Sequence, residues 1–306
     1  MTEYCEIASG LRFPEGPVAL ADGSVLVVEI AAGRLVRVAP DGGVSVVADL
    51  GGGPNGAAIG PDGRCYVCNI GGMRFHERYG RLLPGLAPAD FQGGSIQAVD
   101  LETGAVEVLY RECNGLRLNG PNDLVFDAQG GFWFTDHGKA HRRTRDRGAV
   151  YYAAADGSAI REAVFPMDAP NGIGLSPDGA RLYVAETSTG RLWVFELAGP
   201  GEIRAVKGPV PWERGRLLAN PAGYHLFDSL AVDDAGNVCV ATIPSGILVF
   251  APDGREIERV AFPDPFTTNI CFGGPDRRTA FVTLSSTGKL VAAPWPRPGL
   301  ALAFNG

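Results

Sequence analysis

No apolar run in this 306-residue sequence approaches the roughly 18 residues that a bilayer-crossing helix needs, so no membrane partner is expected. The opening MTEYCEIASG lacks the basic start and apolar core of a secretory leader, which makes the cytoplasm the expected compartment. Positive charge is short as well. The 27 Lys and Arg stand against 34 Asp and Glu, a net charge of −7, and a nucleic-acid partner would want a basic face. The one basic cluster, Lys139, Arg142, Arg143, Arg145 and Arg147, reads as a solvated loop, with a weak leaning toward an anionic substrate. No Ser-rich or charged low-complexity segment divides the chain, so one domain over residues 1–306 is expected although length alone suggests two. No Gly-x-Ser-x-Gly elbow is present, which counts against a serine hydrolase. No phosphate- or dinucleotide-binding glycine motif joins a strand to a helix. In a reducing compartment the six cysteines (Cys5, Cys65, Cys68, Cys113, Cys239 and Cys271) are expected as thiols. Cys65 and Cys68 lie three apart in a strand pattern and so face opposite sides, which suits core packing rather than zinc or redox chemistry.

Glycine, by contrast, is abundant: 43 residues, about twice the usual share of roughly 7%. Much of it belongs to a phrase that recurs six times, a proline or aromatic, then an acid or asparagine, then a small residue. The copies centre on Glu15, Asn55, Asn122, Asn171, Asp228 and, most loosely, Asn269, spaced 40, 67, 49, 57 and 41 residues apart. An apolar strand-like stretch follows each. In four copies a turn comes next, at Asp22-Gly23, Asp62-Gly63, Asp178-Gly179 and Ala235-Gly236, and then a second strand. Repeats of this size built from short strands and Gly-rich turns predict the blades of an all-β, six-bladed propeller. The sixth repeat has few residues left for an outer strand. The N-terminal strand at residues 3–10 is expected to supply it, which would close the ring and remove a sheet edge.

Equivalent positions in propeller blades point at one axis. Two carboxylates and four amides would therefore meet in one ring that offers oxygen acceptors and amide donors. Such a set suits one hard divalent cation on the central axis, calcium before magnesium or manganese, with zinc and iron(II) as further candidates. The second repeat also carries a long apolar-rich insertion, residues 71–93, read as a lid or partner surface over the axis or as a loop packed on the blade's side. A further loop is read from Pro209 to His225.

The stretches FPEGPVAL, RLNGPNDLVFDAQGGFWFTD, APNGIGLSPDGARLYVAET and FDSLAVDDAGNVCVAT resemble the regucalcin and gluconolactonase family of six-bladed propellers, and the related diisopropyl fluorophosphatase. The resemblance runs from Phe13 to about Thr242. It implies a metal on the axis with Glu15, Asn122, Asn171 and Asp228 as ligands. It places Asn55 and Asn119 near the substrate; His137 and Asn269 are further candidates for that wall. It implies hydrolysis of sugar-acid lactones or, in some members, of organophosphates. Two departures stand out. The common Asp-Gly is Asp228-Ser229 here, which leaves the metal position in place. The usual Asp-Pro after Phe-Thr is Asp136-His137, which alters the wall of the site and bears on the substrate.

The chemistry expected is opening of a small lactone. A divalent cation would polarise the carbonyl and offset the developing charge. Asp228 is assigned as general base; Glu15 could take that part, and the sequence does not separate them. His137 has a pKa suited to proton transfer, as has His225, with His76 and His141 behind them. The same ion could serve a phosphotriester or another ester, or the ring could be structural in a non-enzymatic ligand-binding propeller. The expected partner is a small-molecule substrate, and the expected assembly a monomer or small homo-oligomer.

Overall fold

Six four-layered blades surround one axis in the computed structural model, which describes residues 3–205 and 215–305. Blade 1 runs outward through Pro14–Ala19, Val25–Glu29, Arg34–Val38 and Val44–Asp49. Blade 2 uses Pro54–Ile59, Cys65–Asn69, Ser95–Val99 and Val106–Tyr110. Blade 3 uses Pro121–Phe126, Gly131–Asp136, Gly148–Ala154 and Ile160–Met167. Blade 5 uses Leu226–Val232, Val238–Ile243, Gly246–Phe250 and Glu256–Val260. Each inner strand touches the inner strands of both neighbours, so the ring is closed. Blade 6 takes Thr267–Gly273, Thr279–Leu284 and Lys289–Pro294 from the end of the chain and Cys5–Ala8 from its beginning, as the shortage of residues there predicts.

Blade 4 departs from expectation. After Pro170–Leu175, Arg181–Glu186 and Arg191–Gly199, its outer edge is built in two pieces, Glu202–Ile203 and Arg216–Ala219, both paired with the third strand. Part of the stretch read as a loop from Pro209 to His225 is therefore a strand. The remainder up to residue 214 lies outside the described residues.

The core is divided by the blades. Among the described residues, six apolar layers lie one in each interface between neighbours. A strand covered on both faces needs no polar alternation. This accounts for the continuous burial of Val25–Glu29 and Cys65–Asn69. Cys65 packs in the layer between blades 1 and 2, Cys68 in that between blades 2 and 3, on opposite faces as their spacing requires. All six cysteines are free. The turns work as the sequence suggests: Asp22, Asp62 and Asp178 each accept the backbone N–H two residues on, at 2.9–3.1 Å. Among the described residues no helix is long and apolar enough to cross a membrane.

Candidate metal centre

Every inner strand breaks its register at the recurring phrase. Irregularities fall between Glu15 and Val18, Pro54 and Ala57, Pro121 and Leu124, Pro170 and Ile173, Phe227 and Leu230, and Thr267 and Asn269. A bulge of this kind re-aims one side chain out of the ladder. In blades 1, 2 and 4 the next residue must be glycine, because the strands converge there. A Cβ on Gly16 would run into the Asn55 carbonyl, one on Gly56 into the Asn122 carbonyl, and one on Gly172 into the backbone of Ser229 and Leu230.

Four strand ends hold the phrase from outside. Glu29 Oε1 accepts the Arg12 N–H at 2.7 Å, and Asn69 Oδ1 the Gly53 N–H at 2.9 Å. Asp136 accepts from Asn119, Gly120 and Gly138, and Glu186 Oε1 accepts the Asp168 N–H at 2.8 Å. Phe13 and Ala169, each just ahead of the phrase's proline, are held at φ 59° and 58°. Non-glycine residues rarely adopt this conformation, and such strain concentrates at functional sites.

The ring contains two carboxylate–amide pairs. Asn269 Nδ2 donates to Glu15 Oε2 at 2.7 Å, and Asn171 Nδ2 donates to Asp228 Oδ1 at 2.8 Å. The first pair is closed: Glu15 Oε2 also accepts the Gly16 N–H at 2.8 Å, and Asn269 Oδ1 accepts the Ile270 N–H at 2.8 Å. Glu15 is 2% exposed, whereas Asp228 is only half-buried. Asn55 and Asn122 complete the buried ring, and the Oδ1 of Asn122 has no hydrogen-bond partner. An orphaned buried amide oxygen is costly unless something binds it.

A third acid belongs here. Asp123 follows Asn122 at the position that is glycine in blades 1, 2 and 4. It is buried, and its Oδ1 accepts the Leu124 N–H at 2.9 Å. Burial, reinforced by the nearby charge of Glu15, pushes its carboxyl up to about 7. Burial also raises Glu15, against the hydrogen bonds it accepts, and raises Asp228 well above the usual range with help from Glu15. Among the described residues no three His, Cys, Asp or Glu side chains group as metal ligands. Any cation here would depend on the amides. The donor set fits one: hard oxygens, mutually opposed carboxylates and a free amide oxygen on the same axis. Asn171 would offer its own oxygen by turning its amide, since Oδ1 now faces the Ser229 hydroxyl at 3.4 Å.

The rim loops surround this ring. Asn119 is half-buried at the rim of blade 3, its backbone fixed by Asp136. His137 lies beside it, its backbone N–H bonded to the Gly120 carbonyl at 2.8 Å. Arg145 Nη2 reaches the imidazole Nδ1 at 2.8 Å. Burial and that guanidinium push His137 down to about 3, which favours the neutral ring near pH 7. His225 sits on blade 5's rim, its Nδ1 3.2 Å from the Ser245 hydroxyl. His141 lies 3.5 Å from Asp146 on the basic loop, and His76 is on the blade-2 insertion.

That insertion forms a hairpin, Phe75–Arg78 with Arg81–Pro84, and it crosses the rim. Met73, Phe75 and Leu82 pack against Phe13, Ile30 and Ile70 of blades 1 and 2, as does Phe266 at the start of blade 6, and Arg81–Pro84 meets the short turn Ser285–Thr287. Its other side is tied to blade 3. Lys139, buried and pushed down to about 8 by desolvation, donates to the Gly72 carbonyl at 2.9 Å and lies 5.0 Å from the Phe91 ring centre.

Comparison with known proteins agrees with this architecture. The family model described as the SMP-30/Gluconolactonase/LRE-like region matches residues 13–286. A gluconolactonase of Zymomonas mobilis is 29% identical over 310 residues, spanning 91% of this chain and 78% of that protein. A lactonase of Staphylococcus haemolyticus is 29% identical over 254 residues, 81% of this chain and 69% of its own length. The crystal structure of a calcium-binding protein, regucalcin, from Agrobacterium tumefaciens superimposes with a TM-score of 0.75 at 19% identity, covering 100% of this chain and 97% of that one. At that identity the likeness concerns the fold.

Proposed function

We propose, from the premise that the chain belongs to the SMP-30/gluconolactonase/LRE-like family, that it hydrolyses a small lactone, a sugar-acid lactone first, with the help of one divalent cation. The observation that carries this reading is the half-open ring. It combines a free buried amide oxygen on Asn122 with a carboxylate, Asp228, that is only half-buried. The relatives named as a gluconolactonase and a lactonase favour a lactone over a phosphotriester.

Glu15, Asn122, Asn171 and Asp228 would hold the cation, calcium before the others, through oxygens only. When bound it supplies a Lewis acid for the lactone carbonyl and compensates the crowded carboxylates. Asp228 is the general base. One carboxylate oxygen takes a proton from the attacking water, which leaves the other for the cation. Glu15 is less suited, because Oε2 is saturated by two N–H donors and the side chain is sealed. Asn55 and Asn119 would orient the substrate's hydroxyls. Asn269 positions Glu15, and His137 offers a neutral rim contact rather than a proton. The hairpin excludes bulk water from one side of the mouth.

The test is pH-stat hydrolysis of a panel of aldonolactones, with a phosphotriester as the other arm. Protein stripped of metal is compared with protein given calcium, magnesium, manganese, zinc or iron(II). Lactone turnover that disappears on stripping and returns with one ion is the expected result. Turnover of the phosphotriester alone, or of neither, would overturn the reading.

A further inference from the structure

The axis has a second end. Beyond the ring the inner strands run on to their hairpin turns, and between them lies a cavity of about 830 Å³. Its walls are the later halves of those strands, with Leu20, Ile59, Phe126, Leu175, Val232 and Phe272 among them. Ile30, Ile70 and His137, which rim the metal centre, do not line it, so it opens on the opposite face. Its inner end is the underside of the ring, at Gly16, Asp123 and Asn269.

The charges at its outer edge are already engaged. Asp22 accepts from Ser24, Asp178 from Ser176, and Arg277 Nε donates to the Gly299 carbonyl at 2.9 Å. The walls between that edge and Asp123 are uncharged. Leu20, Ile59 and Phe272 are only partly buried there, in a fold whose blade interfaces are filled. Close packing is the rule inside proteins, and a space this size is in the range of small-molecule sites, about 300–1,000 Å³.

The chain itself covers the mouth. After blade 6, Gly299 N–H bonds the Arg277 carbonyl at 2.8 Å and Leu300 N–H bonds the Val232 carbonyl at 2.9 Å. The uncharged stretch Leu300–Phe304 then crosses to blade 3, where Phe304 meets Phe126 edge-on with ring centres 5.8 Å apart. Leu302, between these anchors, lines the cavity and is 46% exposed.

We propose that this cavity is a second binding site, separate from the metal centre, for a neutral and mainly apolar small molecule with a single hydroxyl or N–H end, and that residues 300–305 form its door. Apolar walls take the body of such a ligand. Asp123 at the inner end accepts from its polar end. An anionic ligand would find no free counter-charge beside Asp123 at the inner end. The site does not depend on the lactone reading.

N-Phenyl-1-naphthylamine, neutral, apolar and with one N–H, is a suitable probe. The full chain is expected to bind it at one saturable site with blue-shifted emission. Ala231→Phe, which adds a ring at a half-buried wall position of blade 5, should weaken binding at least tenfold without altering calcium binding. Leu302→Trp lies outside the blades, so the fold tolerates it, and it should slow association and dissociation several-fold. Absence of saturable binding would overturn the proposal. So would wild-type affinity in folded Ala231→Phe, or wild-type rates in Leu302→Trp.

Discussion

The two carboxylate–amide pairs of the ring use the same parts to different ends. In the pair Glu15–Asn269 the acid is sealed, its Oε2 takes two N–H donors, and both ends of the amide are committed. In the pair Asp228–Asn171 the acid is half-buried and is held by a single side-chain bond, and the amide oxygen is only loosely engaged at 3.4 Å. In the proposed mechanism the closed pair fixes a charge for an ion to bind, while the open pair gives Asp228 a second part as base. Accessibility, rather than residue type, would then separate a pure ligand from a ligand that also reacts.

The largest expected effect would sharpen that contrast. Asp228→Asn keeps an oxygen on the axis but removes the base, and kcat should fall by about 10²–10⁴-fold. Glu15→Gln removes a sealed charge, so its loss should appear mainly as weaker cation binding. Equal behaviour of the two variants would break the distinction.

The next effect is on stability. Burial holds Glu15, Asp123 and Asp228 above ordinary carboxyl values, Asp123 at about 7. The metal-free native state thus keeps protons that the unfolded chain releases near pH of about 4, and it loses stability as pH rises through 7. His137, at about 3, acts in the opposite sense, but only below its unfolded value of about 6.5. Lys139, at about 8, adds stability only above that pH. Between pH of about 6.5 and 7.5 the melting temperature of metal-free protein should therefore fall by a few degrees. A saturating divalent cation should raise it and flatten the slope. A flat profile without metal would show that the acids are not crowded.

The smallest expected effect lies at the rim. Lys139→Met removes the donor to Gly72 and the contact with Phe91 that tie the hairpin to blade 3. Losing about 1 kcal/mol of positioning should raise KM about fivefold and leave kcat within about twofold. A fall in kcat alone would place Lys139 nearer the reaction than its contacts imply.

The ring was legible in the sequence because one chemical demand recurs at one place in six repeats, and because convergence of the strands forces a small residue after it at Gly16, Gly56 and Gly172. Asp123 escaped the reading for the same reason: with one polar residue taken per blade, the acid in a glycine position passed as part of a motif. The signal was present as an exception to the pattern. The strand ends that hold the phrase were harder to see, since Glu29, Asn69, Asp136 and Glu186 share a task but not a residue type. The outer strand Arg216–Ala219 follows a long connection that hides its period. The tail at 300–305 has no repeat to mark it, and only its contacts with Val232 and Phe126 reveal where it goes.

The most direct test of the account follows lactone turnover by Asp228→Asn and Glu15→Gln as calcium is raised from trace to saturation. Glu15→Gln should recover most of its activity at high calcium, because its defect is in holding the ion. Asp228→Asn should stay inactive at every concentration while calcium still raises its melting temperature. Recovery of Asp228→Asn, or irreversible loss in Glu15→Gln while calcium still binds, would contradict the assignment of the base.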